Sequence, residues 1–167
     1  MNQVELMLRE FHEEVGITKR VLGQVPADKL GWKPHERSMS LGQLALHIAT
    51  VPGGIARITK PDVFDASQGN FNPPSPKSIE EIHIALEETV GTVERTLKET
   101  TDDAAEATWH LMLGERELAK MPRVTVWRSL MFNHWYHHRG QLSVYLRLLE
   151  VPVPSIYGPS ADENPFS

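Results

Sequence analysis

Three histidines crowd into the run Asn133-His134-Trp135-Tyr136-His137-His138. On a helix, His134 and His138 lie one turn apart and about 40° apart around the axis, so their rings project side by side. That spacing lets two imidazoles from one helix bind one ion, as in the zinc-protease helix. The same face continues through Trp127, Leu130 and Met131 before the pair and through Gln141, Leu142, Tyr145 and Leu149 after it, which turns the pair toward a core. Two buried imidazoles need partners, because an unsatisfied polar group in a core costs about 1–3 kcal/mol. A metal ion is one way to satisfy both. A histidine pair at this spacing also occurs as plain packing, and His137, three residues from His134, could partner something else.

Two histidines leave a site incomplete. His47 lies one turn from Leu44 and Val51, at the edge of an apolar stripe, where its ring can reach the space between helices. His83, on the next helix, is the alternative by the same argument. The inward face of the last helix carries no carboxylate, which favours an all-nitrogen site. Gln141 shares the face of the pair and could hydrogen-bond an imidazole or a water on the ion. Arg139 points about 140° from His134, toward a neighbouring helix or a dimer interface. Tyr145 could line a pocket or pack in the core with its hydroxyl at the edge, and Trp32, Trp135 and Tyr157 are candidates for an aromatic entrance. His12, His35, His83 and His110 read as structural or exposed.

Four helical stripes have to position these residues. Val4, Leu8, Phe11, Val15, Thr18 and Leu22 recur at steps of three and four and predict a helix over Asn2–Gln24, ended by Val25-Pro26. A second helix is expected over Ser40–Thr59 with Ser40 as N-cap, and a kink or local break at Pro52-Gly53-Gly54. Residues 60–77 hold four prolines, Pro61, Pro73, Pro74 and Pro76, and read as a long crossover loop pinned by Phe64 and Phe71. Ser78-Ile79-Glu80-Glu81 is a capping-box pattern opening a third helix, Ser78–Lys98, with the cleanest stripe in the chain. Between Thr108 and Met121, alternation around Gly114 suggests a short hairpin. A final helix is expected over Val124–Glu150, stopped by Val151-Pro152. The fold class is therefore all-α, a four-helix bundle with long crossover connections and a short β-hairpin before the last helix.

At 167 residues the chain is expected to form one domain, spanning 1–167. Hydrophobic residues at 40% and charged residues at 23% describe an ordinary globular composition. A net charge of -5, with no basic run, argues against nucleic acid as partner. No cysteine is present, which excludes disulfides, thiolate ligands and a cysteine nucleophile. The acidic N-terminus lacks the pattern of a secretory signal, and no run approaches the roughly 18 apolar residues of a membrane span. A soluble, cytoplasmic protein with no membrane partner is expected.

The segments Gly31-Trp32-Lys33-Pro34, Ser38 through Ala49 and His134 through Leu142 resemble the damage-inducible DinB family, within the DinB/YfiT-like superfamily. The tail from Tyr145 to Arg147 and from Pro154 to Glu163 is similar to one branch of it. The likeness spans nearly the whole chain and is strongest in the His-x-x-x-His-Arg-x-Gln segment. It implies a four-helix bundle, homodimers formed through the helices, and a three-histidine metal site on His47, His134 and His138. Imidazole ligands suit zinc, nickel, copper or iron, with zinc or nickel the first expectation. Three neutral imidazoles leave a position open for water or substrate, the mark of a catalytic site. An ion so held lowers the pKa of a bound water or stabilises a thiolate. Relatives in the family include transferases that use a low-molecular-weight thiol such as bacillithiol or mycothiol. A thiol-dependent S-transferase acting on a small molecule is therefore the first expectation. A metal-dependent hydrolase, or a non-catalytic metal-binding stress-response protein, stands as the alternative.

Overall fold

A computed structural model of the chain describes residues 2–69 and 72–166. The fold is mostly helical with a small three-stranded sheet. Helix α1 (Gln3–Leu22) starts at Asn2, whose side chain takes the Glu5 N–H at 2.8 Å while the Glu5 carboxylate takes the Asn2 N–H at 3.0 Å. Two of the donors left over at the helix start are satisfied in this way, and the Asp102 carboxylate satisfies those of Gln3 and Val4. Its buried stripe is Val4, Met7, Phe11, Val15 and Leu22, with Glu14 and Thr18 among them.

Helix α2 (Leu41–Ile58) runs unbroken through Pro52-Gly53-Gly54, where the sequence suggests a kink or break. Neighbouring packing holds it. A Cβ on Gly53 would stand 2.8 Å from Thr89 Oγ1 and 3.1 Å from Thr89 Cα, so the missing side chain lets α2 press against α3 (Ile79–Glu99). Ser78 caps α3 as expected, accepting the Glu81 N–H at 3.3 Å, but the Glu81 carboxylate reaches one residue further back and takes the Lys77 N–H at 2.8 Å.

The crossover between α2 and α3 is more than a loop. Its Val63–Asp65 forms strand β1, parallel to β2 (Thr108–Leu113), with Phe64 opposite Leu111. Strand β3 (Arg116–Pro122) returns antiparallel to β2, which gives the expected hairpin, turned at Gly114 with φ +60. A three-residue strand is too short to show alternation in sequence. The predicted anchor Phe71 lies outside the described residues. Between α3 and β2 a short helix α4 (Asp102–Glu106) completes the connection.

The last helical run begins as α5 (Arg123–Val126), passes through a π-helical segment (Trp127–Asn133) and continues as α6 (His134–Leu148). The four long runs pack in the cyclic order α1, α3, α2, final run, each with its main contacts on two others. The core they enclose includes Phe11, Leu44, Ile48, Leu86, Val93, Trp127, Met131 and Leu142. Among the described residues, no helix is long and apolar enough to cross a membrane.

Candidate metal centre

Two helices must be fixed in register before their histidines can meet. The N-terminus of α2 is held by a reciprocal cap: Ser40 Oγ takes the Gln43 N–H at 3.1 Å and Gln43 Oε1 takes the Ser40 N–H at 2.9 Å. The loop carrying Gly31-Trp32 adds two carbonyls. Trp32 O accepts from Leu41 N–H at 2.8 Å, and Leu30 O accepts from Gly42 N–H at 2.9 Å. The same loop is tied to α6, because the Trp32 ring stands edge-on to Tyr145 and the Tyr145 hydroxyl donates to Met39 O at 3.2 Å. Trp32 and Tyr145 thus brace the two helices.

On the other side of α6, Arg139 is 1% exposed and locks the helix to α1. Its guanidinium pairs with the Glu14 carboxylate and donates to Glu14 O at 3.2 Å and Thr18 Oγ1 at 3.0 Å. The Tyr157 hydroxyl bonds the same carboxylate at 2.9 Å. Arg139 therefore anchors a neighbouring helix, one of the two roles its angle allows. Trp135 is buried against Phe11, and Tyr157 packs edge-on to Tyr136 and against the Arg139 guanidinium, so neither forms an entrance beside the histidines.

These braces bring His47, His134 and His138 together. One nitrogen from each lies within 4.8 Å of the others. The His47 ring stands edge-on to both partners, with centroids 5.3 Å from His134 and 4.4 Å from His138. His83, the alternative third member, lies outside the cluster. His12 pairs with Glu94, His110 pairs with Glu117, and His35 accepts a hydrogen bond from the Arg37 backbone. His137 is exposed, its ring 5.0 Å from that of His138.

The hydrogen bonds decide how the rings are protonated. Gln141 Oε1 lies 2.7 Å from His138 Nδ1. An amide oxygen only accepts, so Nδ1 carries the hydrogen and a neutral His138 presents a lone pair on Nε2. That Nε2 is 2.6 Å from His134 Nε2. The Leu130 backbone beside the His134 ring favours its protonated form, against the burial that disfavours it. Here the π segment matters. The His134 N–H reaches Ser129 O, five residues back, which frees the Leu130 carbonyl from the partner an α-helix would give it. The same change of register moves Leu130 off the buried face, where sequence spacing puts it, to 41% exposure.

The Nε2 atoms of His138 and His134 thus face each other at 2.6 Å with a third imidazole alongside. Protonation does not relieve this. Burial is the main cause holding all three rings below the usual histidine range, with His47 pushed down to about 4 by burial and then by its His138 and His134 neighbours. A shared cation relieves it, and the donor set is a good one: neutral nitrogens, no carboxylate and a fixed tautomer. The three-histidine group could hold a metal ion, and the residues fit one.

Known proteins share this framework. The sequence pattern of the DinB family matches residues 1–164. The uncharacterized protein YrdA of Bacillus subtilis strain 168 is 26% identical over 156 residues, covering 93% of this chain and 89% of that one. A DinB-like protein of Bacillus cereus ATCC 10987 has a similar structure, with TM-score 0.67 and 24% identity over 90% of this chain and 95% of the other. The DinB-like protein YjoA of Bacillus subtilis superposes with TM-score 0.69 at 20% identity, covering 93% and 97%. At such identities the two structures speak for the fold alone. With the family pattern spanning nearly its full length, the chain belongs to the DinB family.

Proposed function

We propose that this protein is a metal-dependent enzyme whose divalent ion, zinc or nickel, rests on His47, His134 and His138. The observation that carries this is the pair of Nε2 atoms 2.6 Å apart, with Gln141 behind His138 holding the hydrogen on the far nitrogen. One nitrogen from each of three imidazoles converging within 4.8 Å is a donor set suited to a cation. When bound, such an ion supplies Lewis acidity, which acidifies a coordinated thiol or water. The chain's own contribution is positioning: Gln141 orients the His138 ring, and Arg139 and Tyr145 hold α6 against its neighbours. Three protein nitrogens leave a divalent ion at least one further position, which suits turnover better than a purely structural role.

By its family, the reaction we favour is transfer of a low-molecular-weight thiol such as bacillithiol or mycothiol to a small electrophile, in the cytoplasm and in a homodimer. The test is a conjugation screen on the metal-loaded protein with each thiol and a panel of electrophiles, with and without a chelator. Chelator-sensitive loss of thiol supports the proposal. Chelator-sensitive ester cleavage that needs no thiol moves it to a hydrolase. Neither activity, with metal bound, leaves a binding protein of the stress response. Sedimentation of the full chain reads the dimer separately.

A further inference from the structure

The three histidines are not the only place where the fold collects chemistry. A cavity of about 640 Å³ opens between the C-terminal end of α2, the last turns of α3 and the start of the final run, floored by Trp127. Ten residues of α2 separate His47 from Arg57, or about 15 Å of helix, and no histidine of the cluster lines this cavity. Its rim carries Arg57, Lys60 and Arg95. Among the described residues, none of the three has a carboxylate within ion-pair distance, in a chain where Asp and Glu outnumber Lys and Arg by 22 to 17. Arg20, Arg128, Arg139 and Arg147 pair with Glu163, Glu10, Glu14 and Asp162, whereas Arg37 and Arg116, like Arg57 and Arg95, have no ion pair among the described residues. Arg57, Lys60 and Arg95 are all solvent-exposed and share the cavity with Glu99 and with Asp62, the latter already paired to Arg123. One concavity of an acidic protein thus gathers three cations without ion pairs, which favours an anion there.

The inner wall is built to keep that charge. Arg123 is 6% exposed and holds the end of α2 by donating to Thr59 O at 2.6 Å, to Ala104 O, and to Asp62 Oδ1 at 2.6 Å. The negative end of α2 is covered in the same way, Ile58 O by the Trp109 indole N–H at 3.1 Å and Thr59 O by Arg123. With these carbonyls covered, the end of α2 repels an anion in the cavity less than a bare helix end would. One carboxylate, Glu99, also lines the cavity without an ion-pair partner among the described residues, together with the Thr96 hydroxyl. These two suit a ligand that has hydroxyl donors as well as negative charge. The volume suits an organic molecule more than a bare ion.

We propose that this cavity is a second ligand site, separate from the metal centre, that takes a small organic phosphate bearing hydroxyl groups. Arg57, Lys60 and Arg95 hold the phosphate, and Glu99 and Thr96 take the hydroxyls. The inference does not depend on the metal reading. The experiment is calorimetric titration of the full chain with glycerol phosphate, adenosine monophosphate and inorganic phosphate, against glycerol and adenosine as uncharged controls. Three proteins are compared: wild type, an Arg57→Gln/Arg95→Gln double variant and His134→Ala. The two arginines make no structural pair, and an unchanged melting temperature of the double variant verifies its fold. The proposal predicts binding of an organic phosphate tighter than of inorganic phosphate, weakened about tenfold or more in the double variant, weakened by added salt, and retained in His134→Ala. Binding lost in His134→Ala but kept in the double variant would assign the anion to the histidine cluster and overturn the proposal. No binding of any phosphate, or equal binding of the uncharged controls, would overturn it as well.

Discussion

Replacing Glu14 with alanine strips the partner from an arginine that cannot reach bulk water. Arg139 is 1% exposed and the Glu14 side chain 11%, so the pair sits just inside the surface between α1 and α6. Breaking a buried pair by removing one partner costs about 3–5 kcal/mol, because the remaining charge stays desolvated. Thr18 Oγ1, the Glu14 carbonyl and the Tyr157 hydroxyl remain within reach of Arg139, and the vacated carboxylate position is close enough to the surface for water to enter. Both features favour the lower end, about 3 kcal/mol. For a chain of this size 1 kcal/mol shifts the melting temperature by about 2–4 °C, so a drop of about 6–12 °C is expected. Scanning calorimetry on Glu14→Ala reads it directly. A Glu14→Leu/Arg139→Met double variant, which leaves no buried charge, should recover much of the loss. A single variant that melts within about 2 °C of the parent would refute the reasoning, as would a double variant worse than the single one.

Gln141→Leu should keep the fold and weaken metal affinity about 10–100-fold, since it releases the His138 tautomer; competition with a chromophoric chelator measures it, and unchanged affinity would remove Gln141 from the site. In the metal-free protein, His47 is held near 4 against an ordinary value near 6.5, so the unfolded chain takes up its proton first as pH falls. Stability from this group is therefore complete above about pH 6.5, declines between about 6.5 and 4, and levels off below; denaturant titrations in chelator should show the slope, and His47→Gln should flatten part of it. Gly53→Ala should destabilise by about 1–3 kcal/mol in chemical denaturation, because the added Cβ would have to push Thr89 and α3 away. A neutral effect would mean that the two helices separate freely.

Much of the site is legible in the sequence, for a local reason. His134 and His138 are one turn apart, and helical spacing alone puts two rings on one face. His47 is different in kind: periodicity makes it the better candidate with His83 as runner-up, the family resemblance selects it, and tertiary packing of α2 against α6 brings it to the pair. Arg139 can be aimed by its angle but not given a partner, since Glu14 lies 125 positions away. The π segment leaves no trace, because Trp127–Asn133 contains neither proline nor glycine and the register change is settled by burial of Trp127, Met131 and Phe132. At Pro52 the helix has no break: α2 is continuous through it, packed closely against Thr89 at Gly53. Strand β1 is hidden by its brevity and its distant partner. The cations at positions 57, 60 and 95 form no basic run, and only the fold gathers them.

Whether His47, His134 and His138 share one ion is read from the metal content of each variant. Tag-free protein, purified without chelator and analysed by plasma mass spectrometry, should carry about one zinc or nickel per chain. His47→Ala, His134→Ala and His138→Ala should each lose most of it, while His83→Ala and His12→Ala retain it. Each variant's circular-dichroism spectrum checks that the helices persist. Full metal content in His47→Ala, or equal loss in His83→Ala, would contradict a shared three-histidine site.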